Sequence, residues 1–261
     1  MIDTHCHLDF PDYHEDLDQV IERAGQAGVE KMITIGIDAP SSRAAAALAR
    51  ERLNVYAAVG LHPNSAAEAD ENLWREIDDL AAERKVVAVG ETGLDYYRNR
   101  APRDAQRRAF LRQIDIAAGH DLPVVIHCRQ AYDDCYDILR GLGRPLRGVM
   151  HCFSGSAEDA RRFLDLGLLL SFGGPVTFPN AEELRGVVRS VRPEDLMLET
   201  DAPFLAPQAF RGTRNEPAYV RYIARALARL YDLSLHDIDR ITTLNANRLF
   251  GIGPPDSAET A

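Results

Sequence analysis

The chain has 261 residues, 46% of them hydrophobic and 27% charged, which excludes a disordered segment, a collagen-like repeat and a disulfide scaffold and predicts a buried core. Its net charge of −10, from 30 basic and 40 acidic residues, argues against a protein that coats nucleic acid with cations, but not against an enzyme that grips one phosphate. No apolar run approaches the roughly 20 residues of a membrane-spanning helix, and the opening MIDTHCH lacks a signal peptide's basic and apolar regions, so a cytoplasmic protein with no membrane partner is expected.

In chain order, short apolar or β-branched runs predict strands at 1–7, 31–38, 55–62, 86–92, 123–129, 148–153, 168–173 and 196–201. Between and after them, helix chemistry occupies 14–26, 41–52, 71–84, 103–118, 133–142, 157–166, 181–191 and 217–230. Ser41, Asp133 and Ser156 stand before runs of helix formers, and Gly28, Gly143 and Gly167 stand after them as stop signals. Strand then helix, eight times over, is the order of a single-domain α/β (β/α)8 TIM barrel. That domain is expected over 1–251, with 234–250 adding terminal helix and 252–261 a flexible tail. A doubly wound open sheet is the competing architecture, but it feeds a ligand crevice from only a few strands.

Polar residues decide between the two. His5 and His7, His62, Glu91, His127, His151 and Asp201 all stand near the C-terminal ends of predicted strands, and in a barrel those ends meet at one mouth. His5 and His7 are two apart on an extended strand, so both side chains leave one face and can chelate a metal, while Cys6 points away. The same alternation turns Cys128 and Cys152 toward the helices, as packing thiols; with Cys135 they show no CxxC spacing. Four neutral imidazoles with Glu91 and Asp201 bring −2 of formal charge against about +4 from two divalent ions, leaving a cationic centre that attracts phosphate. Glu91 is the candidate bridge between them. Imidazole favours Zn, Fe or Co and carboxylate favours Mg or Mn, so metal identity stays open.

The motifs DTHCHLDF (3–10), GLHP (60–63), GETGLDYY (90–97), VIHCR (125–129), HCFSG (151–155), LETDAP (198–203), RGTRNEP (211–217) and NANRLF (245–250) span nearly the whole chain. By them the chain resembles the TatD family of metal-dependent deoxyribonucleases, a branch of the metal-dependent hydrolase barrels. The resemblance implies one divalent ion on His5, His7, Glu91 and Asp201 and a second on Glu91, His127 and His151. It also implies an enzyme of DNA repair or turnover, exonucleolytic on single-stranded DNA ends, using a metal-bound hydroxide, with no obligate protein partner. Phosphotriesterase-type relatives bridge their metals with a carbamylated lysine on strand 4, where this chain has Glu91.

Asp201, a ligand with a second oxygen free, is the candidate to orient the attacking water and take its proton; Glu199 faces the same side, deeper. His62 either bonds the scissile phosphate or caps its loop. Arg129 is placed to contact phosphates, as are Arg211, Arg214 and Asn215 in the loop after the last strand, the resemblance favouring Arg211 and Asn215. Tyr96, Tyr97 and Phe153 are candidates for base stacking. The same nucleophile attacks carbonyls, so the alternative is an ester or amide hydrolase acting on a small molecule or aminoacyl-tRNA. A non-catalytic barrel with a structural metal is the third reading.

Overall fold

The computed structural model describes residues 1–253. Its strands are β1 (Ile2–Cys6), β2 (Lys31–Ile35), β3 (Val55–Val59), β4 (Val86–Asp95), β5 (Val124–Arg129), β6 (Gly148–Met150), β7 (Leu169–Phe172) and β8 (Leu196–Leu198). All pair in parallel, in sequence order. Helices α1 (Leu17–Gln26), α2 (Ala39–Glu51), α3 (Glu71–Ala81), α4 (Arg103–Gly119), α5 (Tyr132–Arg140), α6 (Ala157–Asp165), α7 (Glu182–Ser190) and α8 (Val220–Tyr231) follow the strands in turn, and α9 (Leu235–Phe250) comes last. This is the (β/α)8 barrel expected.

The ring closes without a full ladder between its first and last strands. Cys6 bridges Ala202, Asp201 N–H donates to His5 O at 2.9 Å, and His7 N–H donates to Ala202 O at 2.7 Å. Closure therefore runs through the segment after β8, which fixes Asp201 relative to His5 and His7. Buried Asp3 braces that segment, accepting from Thr200 N–H at 2.9 Å and lying 2.6 Å from Thr200 Oγ1.

One apolar layer lies between strands and helices, and a second fills the barrel. The inner layer joins Ile33, Ile35, Ala58, Val125, Val149 and Met197 to Leu249, Phe250 and Ile252. At the N-terminal ends of the strands, Asn245 Nδ2 donates to Leu196 O and Lys31 Nζ to Asn247 Oδ1, so α9 and the residues after it floor the barrel. Of the tail expected from 252, Ile252 is buried in that floor, and positions 254–261 lie outside the described residues.

Three local expectations shift. The α2 cap is Asp38, whose carboxylate accepts from Ser41 N–H while the Ser41 hydroxyl accepts from Asp38 N–H, so Ser41 is the inner half of a capping box. Asp133 lies in the first turn of α5, after Ala131, whereas Ser156 caps α6 as expected. Strand β4 continues to Asp95, three residues beyond the predicted end.

Candidate metal centre in the barrel mouth

Alternation along the strands carries the inner layer up to the mouth. Val125 is followed two residues on by His127, Val149 by His151, and Met197 by Glu199 and then Asp201. On β1 and β4 the pairing register shifts, between Asp3 and Cys6 and between Val89 and Thr92, and these irregularities accompany the inward turn of His5 and Glu91. Asp201, beyond the end of β8, adopts φ +57, a left-handed conformation uncommon in non-glycine residues but tolerated by aspartate.

The side chains converge. Glu91 Oε1 lies 2.7 Å from His127 Nδ1, 3.5 Å from His151 Nε2 and 3.6 Å from His62 Nε2, and its Oε2 lies 3.5 Å from His5 Nε2. Asp201 Oδ1 lies 3.5 Å from His7 Nε2 and 3.7 Å from His5 Nε2. Two triads of ligand atoms, His5–His7–Asp201 and Glu91–His127–His151, each fall within 4.8 Å.

Most of these spacings are long for hydrogen bonds but close to about 3.4 Å, the edge of a tetrahedron whose metal–ligand bonds are about 2.1 Å. Hydrogen bonding on the far side of the rings points the same way. His7 Nδ1 is 3.0 Å from Ile35 O and so donates there, which turns its Nε2 toward Asp201. His127 is held between two carboxylates, its Nε2 3.2 Å from Asp95 Oδ2 and its Nδ1 2.7 Å from Glu91 Oε1, so Asp95 fixes the ring with Nδ1 turned into the cluster. His151 Nδ1 contacts Glu199 Oε1 at 3.0 Å, away from the cluster. His5, 1% exposed, has no hydrogen-bond partner on either ring nitrogen and stacks on His151 with ring centroids 3.6 Å apart. Buried polar atoms left this way are costly unless something binds them, so the donor set fits divalent cations.

The site's electrostatics follow from burial set against neighbours. Burial acts to raise the Glu91 pKa, but His151 and His62, with the bond from His127, hold it well below the ordinary glutamate range. Asp201 is lowered despite burial by His7 and His151. Burial acts to lower His151, and Glu199 and Glu91 outweigh it, pushing the imidazole up to about 10. His62 goes the other way, to about 4, because burial dominates, so it is neutral. Its Nδ1 accepts from Asn64 N–H at 3.1 Å, which leaves the proton on Nε2, aimed into the mouth. His62 thus caps its loop and presents a donor at the same time.

The remaining candidates divide. Arg129 is exposed on the rim and lines the same cavity, of about 650 Å³, as His62, Glu91 and Asp201. Asn215, by contrast, is fully buried: its amide donates to Thr200 O and Phe204 O and its carbonyl accepts from Glu216 N–H, so it ties the last loop together and offers nothing to a substrate. The Arg211 guanidinium lies 4.3 Å over the Phe178 ring, away from the cavity lining, and Arg214 is paired with Asp16 and Glu216. Tyr96 donates its hydroxyl to Asp134, and Phe153 is buried. Cys152 does not turn toward the helices as expected; β6 ends at Met150, and Cys152, at φ +44, lines a cavity beside His151. The residue that sequence reasoning missed is Asp95, the partner of His127. Its signal was the acid two positions beyond Gly93 in GETGLD, hidden because the strand was expected to stop at Thr92.

Comparison with known proteins decides the family, since the model of TatD-related DNases matches residues 2–251. The chain belongs to the TatD family. It is 45% identical over 253 residues to the Bacillus subtilis (strain 168) protein named uncharacterized metal-dependent hydrolase YabD, covering 97% of this chain and 99% of that one. It is 34% identical to the 3'-5' ssDNA/RNA exonuclease TatD of Klebsiella pneumoniae (strain 342), covering 97% and 98%. Among solved structures, the TatD homologue YJJV of Escherichia coli K12 superimposes with a TM-score of 0.92 at 34% identity, covering 97% and 98%. This TatD-family chain is thus a metal-dependent hydrolase whose mouth carries His, Asp and Glu groups able to bind metal. No helix among the described residues is long and apolar enough to cross a membrane.

Proposed function

We propose that this enzyme hydrolyses phosphodiester bonds at the ends of single-stranded DNA, with His5, His7, Glu91 and Asp201 holding one divalent cation and Glu91, His127 and His151 a second. The observation that carries the reading is the convergence of imidazole nitrogens of His5, His7, His127 and His151 on the carboxylates of Glu91 and Asp201, while the far nitrogens of His7, His127 and His151 lie against Ile35 O, Asp95 and Glu199. When bound, such ions supply Lewis acidity at a phosphoryl oxygen and acidify water. The chain's own residues do the rest. Asp201, held at fixed height by its backbone bond to His5 O, accepts the proton of the attacking water. Neutral His62 donates from Nε2 to a non-bridging phosphate oxygen. Asp95 and Glu199 hold the rings of His127 and His151 in the orientation that points their other nitrogen inward.

A bowl at a barrel mouth admits a strand terminus more readily than the middle of a duplex. The name of the Klebsiella relative supplies the expected direction, 3' to 5', and extends the expected substrates to RNA. The test is a 5'-labelled single-stranded oligonucleotide incubated with Mg²⁺, Mn²⁺ or Zn²⁺, with a chelator control. Stepwise shortening from the 3' end, abolished by the chelator, is expected; no cleavage with any of the metals overturns the reading.

A further inference from the structure

The mouth has two unlike walls. Phe10 follows β1 and Phe204 follows β8, adjacent strands where the ring closes. Their rings meet edge to face at 5.8 Å, and Phe10 also lies 4.8 Å from the His7 ring. Phe204 remains 49% exposed. Across the ring, the loop after β4 carries Arg98 and Arg100, and β5 ends in Arg129. In an eight-stranded ring β4 and β5 stand opposite β8 and β1. All five residues line one cavity, with Glu91 and Asp201 between the walls.

Each wall lacks a partner. Isolated exposed apolar side chains are ordinary, but Phe204 sits on an aromatic neighbour at the lip of a buried ionic cluster, with much of its surface free. The three rim arginines form no ion pair within 4.0 Å among the described residues, in a chain that carries 40 acidic groups. Arg23, Arg162 and Arg214 each face two carboxylates, while Arg75, Arg107 and Arg248 on the outer surface are as free of ion pairs as the rim three; what sets Arg98, Arg100 and Arg129 apart is that they line the cavity of Glu91 and Asp201. The guanidinium of Arg129 lies 3.9 Å over the Tyr97 ring, itself 56% exposed, which continues the cationic wall outward.

We infer that the walls divide the end of a nucleic-acid strand between them: the Phe10–Phe204 pair receives the base of the terminal nucleotide, and Arg98, Arg100 and Arg129 take the phosphates of the strand behind it. The inference rests on the phosphodiesterase reading above and deepens it. The assignment of sides follows from stoichiometry: one aromatic pair serves one base, whereas a strand of repeating phosphates needs several cations. Arginine's planar fork suits phosphate oxygens, and a ring face accepts any base, so the site selects for a terminal nucleobase without reading its identity.

The test uses two oligonucleotides that differ only in the terminal nucleotide, one with its natural base and one abasic, with the wild-type enzyme, Phe204→Ala and Phe204→Trp. Removing the base is expected to lower wild-type kcat/KM by about tenfold, the order of one lost base stack. Phe204→Ala falls by the same factor on the natural end and loses nothing further on the abasic one, and Phe204→Trp retains the wild-type preference. Replacing Arg98 and Arg129 together by Gln slows both substrates alike and flattens the dependence of kcat/KM on salt. Equal wild-type rates on the two ends, or a Phe204→Ala loss identical on both, overturns the inference while leaving the nuclease reading intact. If the wild type shortens neither oligonucleotide yet turns over bis(4-nitrophenyl) phosphate, the nuclease reading falls and takes this one with it.

Discussion

The two ends of this barrel are built on the same strands with opposite chemistry. At the floor, Ile33, Val125, Val149 and Met197 meet Leu249 and Phe250 of α9 in an apolar plug. At the mouth, one or two inward positions further along, the side chains are His151 and Glu199, buried, and His127 and Asp201, partly buried. The floor contributes burial and hydrophobic stabilisation. The mouth gathers acids and imidazoles in one space, an arrangement that costs desolvation and makes sense only for a bound ligand. Stability and function are thus segregated along the barrel axis, as expected for an enzyme whose chemistry sits at the C-terminal strand ends.

That division can be broken from either side. Glu91→Gln removes the carboxylate shared by four imidazoles and is expected to lower kcat by at least about a hundredfold, measured on end-labelled DNA at saturating metal. At the floor, Phe250→Ala is expected to cost about 3–5 kcal/mol in denaturant unfolding, while kcat/KM of the folded enzyme stays within about twofold of wild type. A large activity loss in Phe250→Ala at full folding would show that floor and mouth are coupled rather than segregated.

A finer division separates the ligands from the residues behind them. Asp95→Asn leaves every candidate ligand in place but removes the carboxylate that fixes the His127 ring, and is expected to weaken metal binding about 10- to 100-fold, with kcat recovered at high metal. Unchanged affinity on titration calorimetry would mean that the ring is held by other contacts. The smallest effect belongs to the clamp outside the bowl. Arg214 and Arg23 hold the Asp16 carboxyl below the usual aspartate range. A depressed folded-state pKa contributes stability that is present above the unfolded value near about 4 and disappears as pH falls below it. Asp16 is partly exposed, so screening keeps the contribution under about 1 kcal/mol. Asp16→Asn should flatten the acid limb of the stability–pH curve by that amount and leave neutral-pH activity unchanged.

Much of this was legible in the sequence because polar residues ending apolar runs are rare in strands unless they converge. Thus His127 after Val125-Ile126 and His151 after Val149-Met150 announced the mouth. Asp95 escaped because the strand was expected to end at Thr92, before the glycine at 93. Gly93 is required there, at φ +133, since a Cβ would come 2.1 Å from His127 O; the close packing of β4 on β5 imposes the residue that disguised the strand. Asn215 was misplaced for a different reason: a loop amide facing its own backbone and one facing a substrate have the same sequence. Cys152 departed from simple alternation because β6 is only three residues long and the chain turns left-handed beyond it.

The central claim, that the mouth residues jointly hold a pair of divalent cations, is tested most directly by counting them. Elemental analysis of the dialysed, metal-reconstituted protein should give about two ions per chain for wild type and at most about one for Glu91→Gln, because that carboxylate is the proposed bridge. A wild-type chain that retains none, or a Glu91→Gln chain that still retains two, contradicts the account.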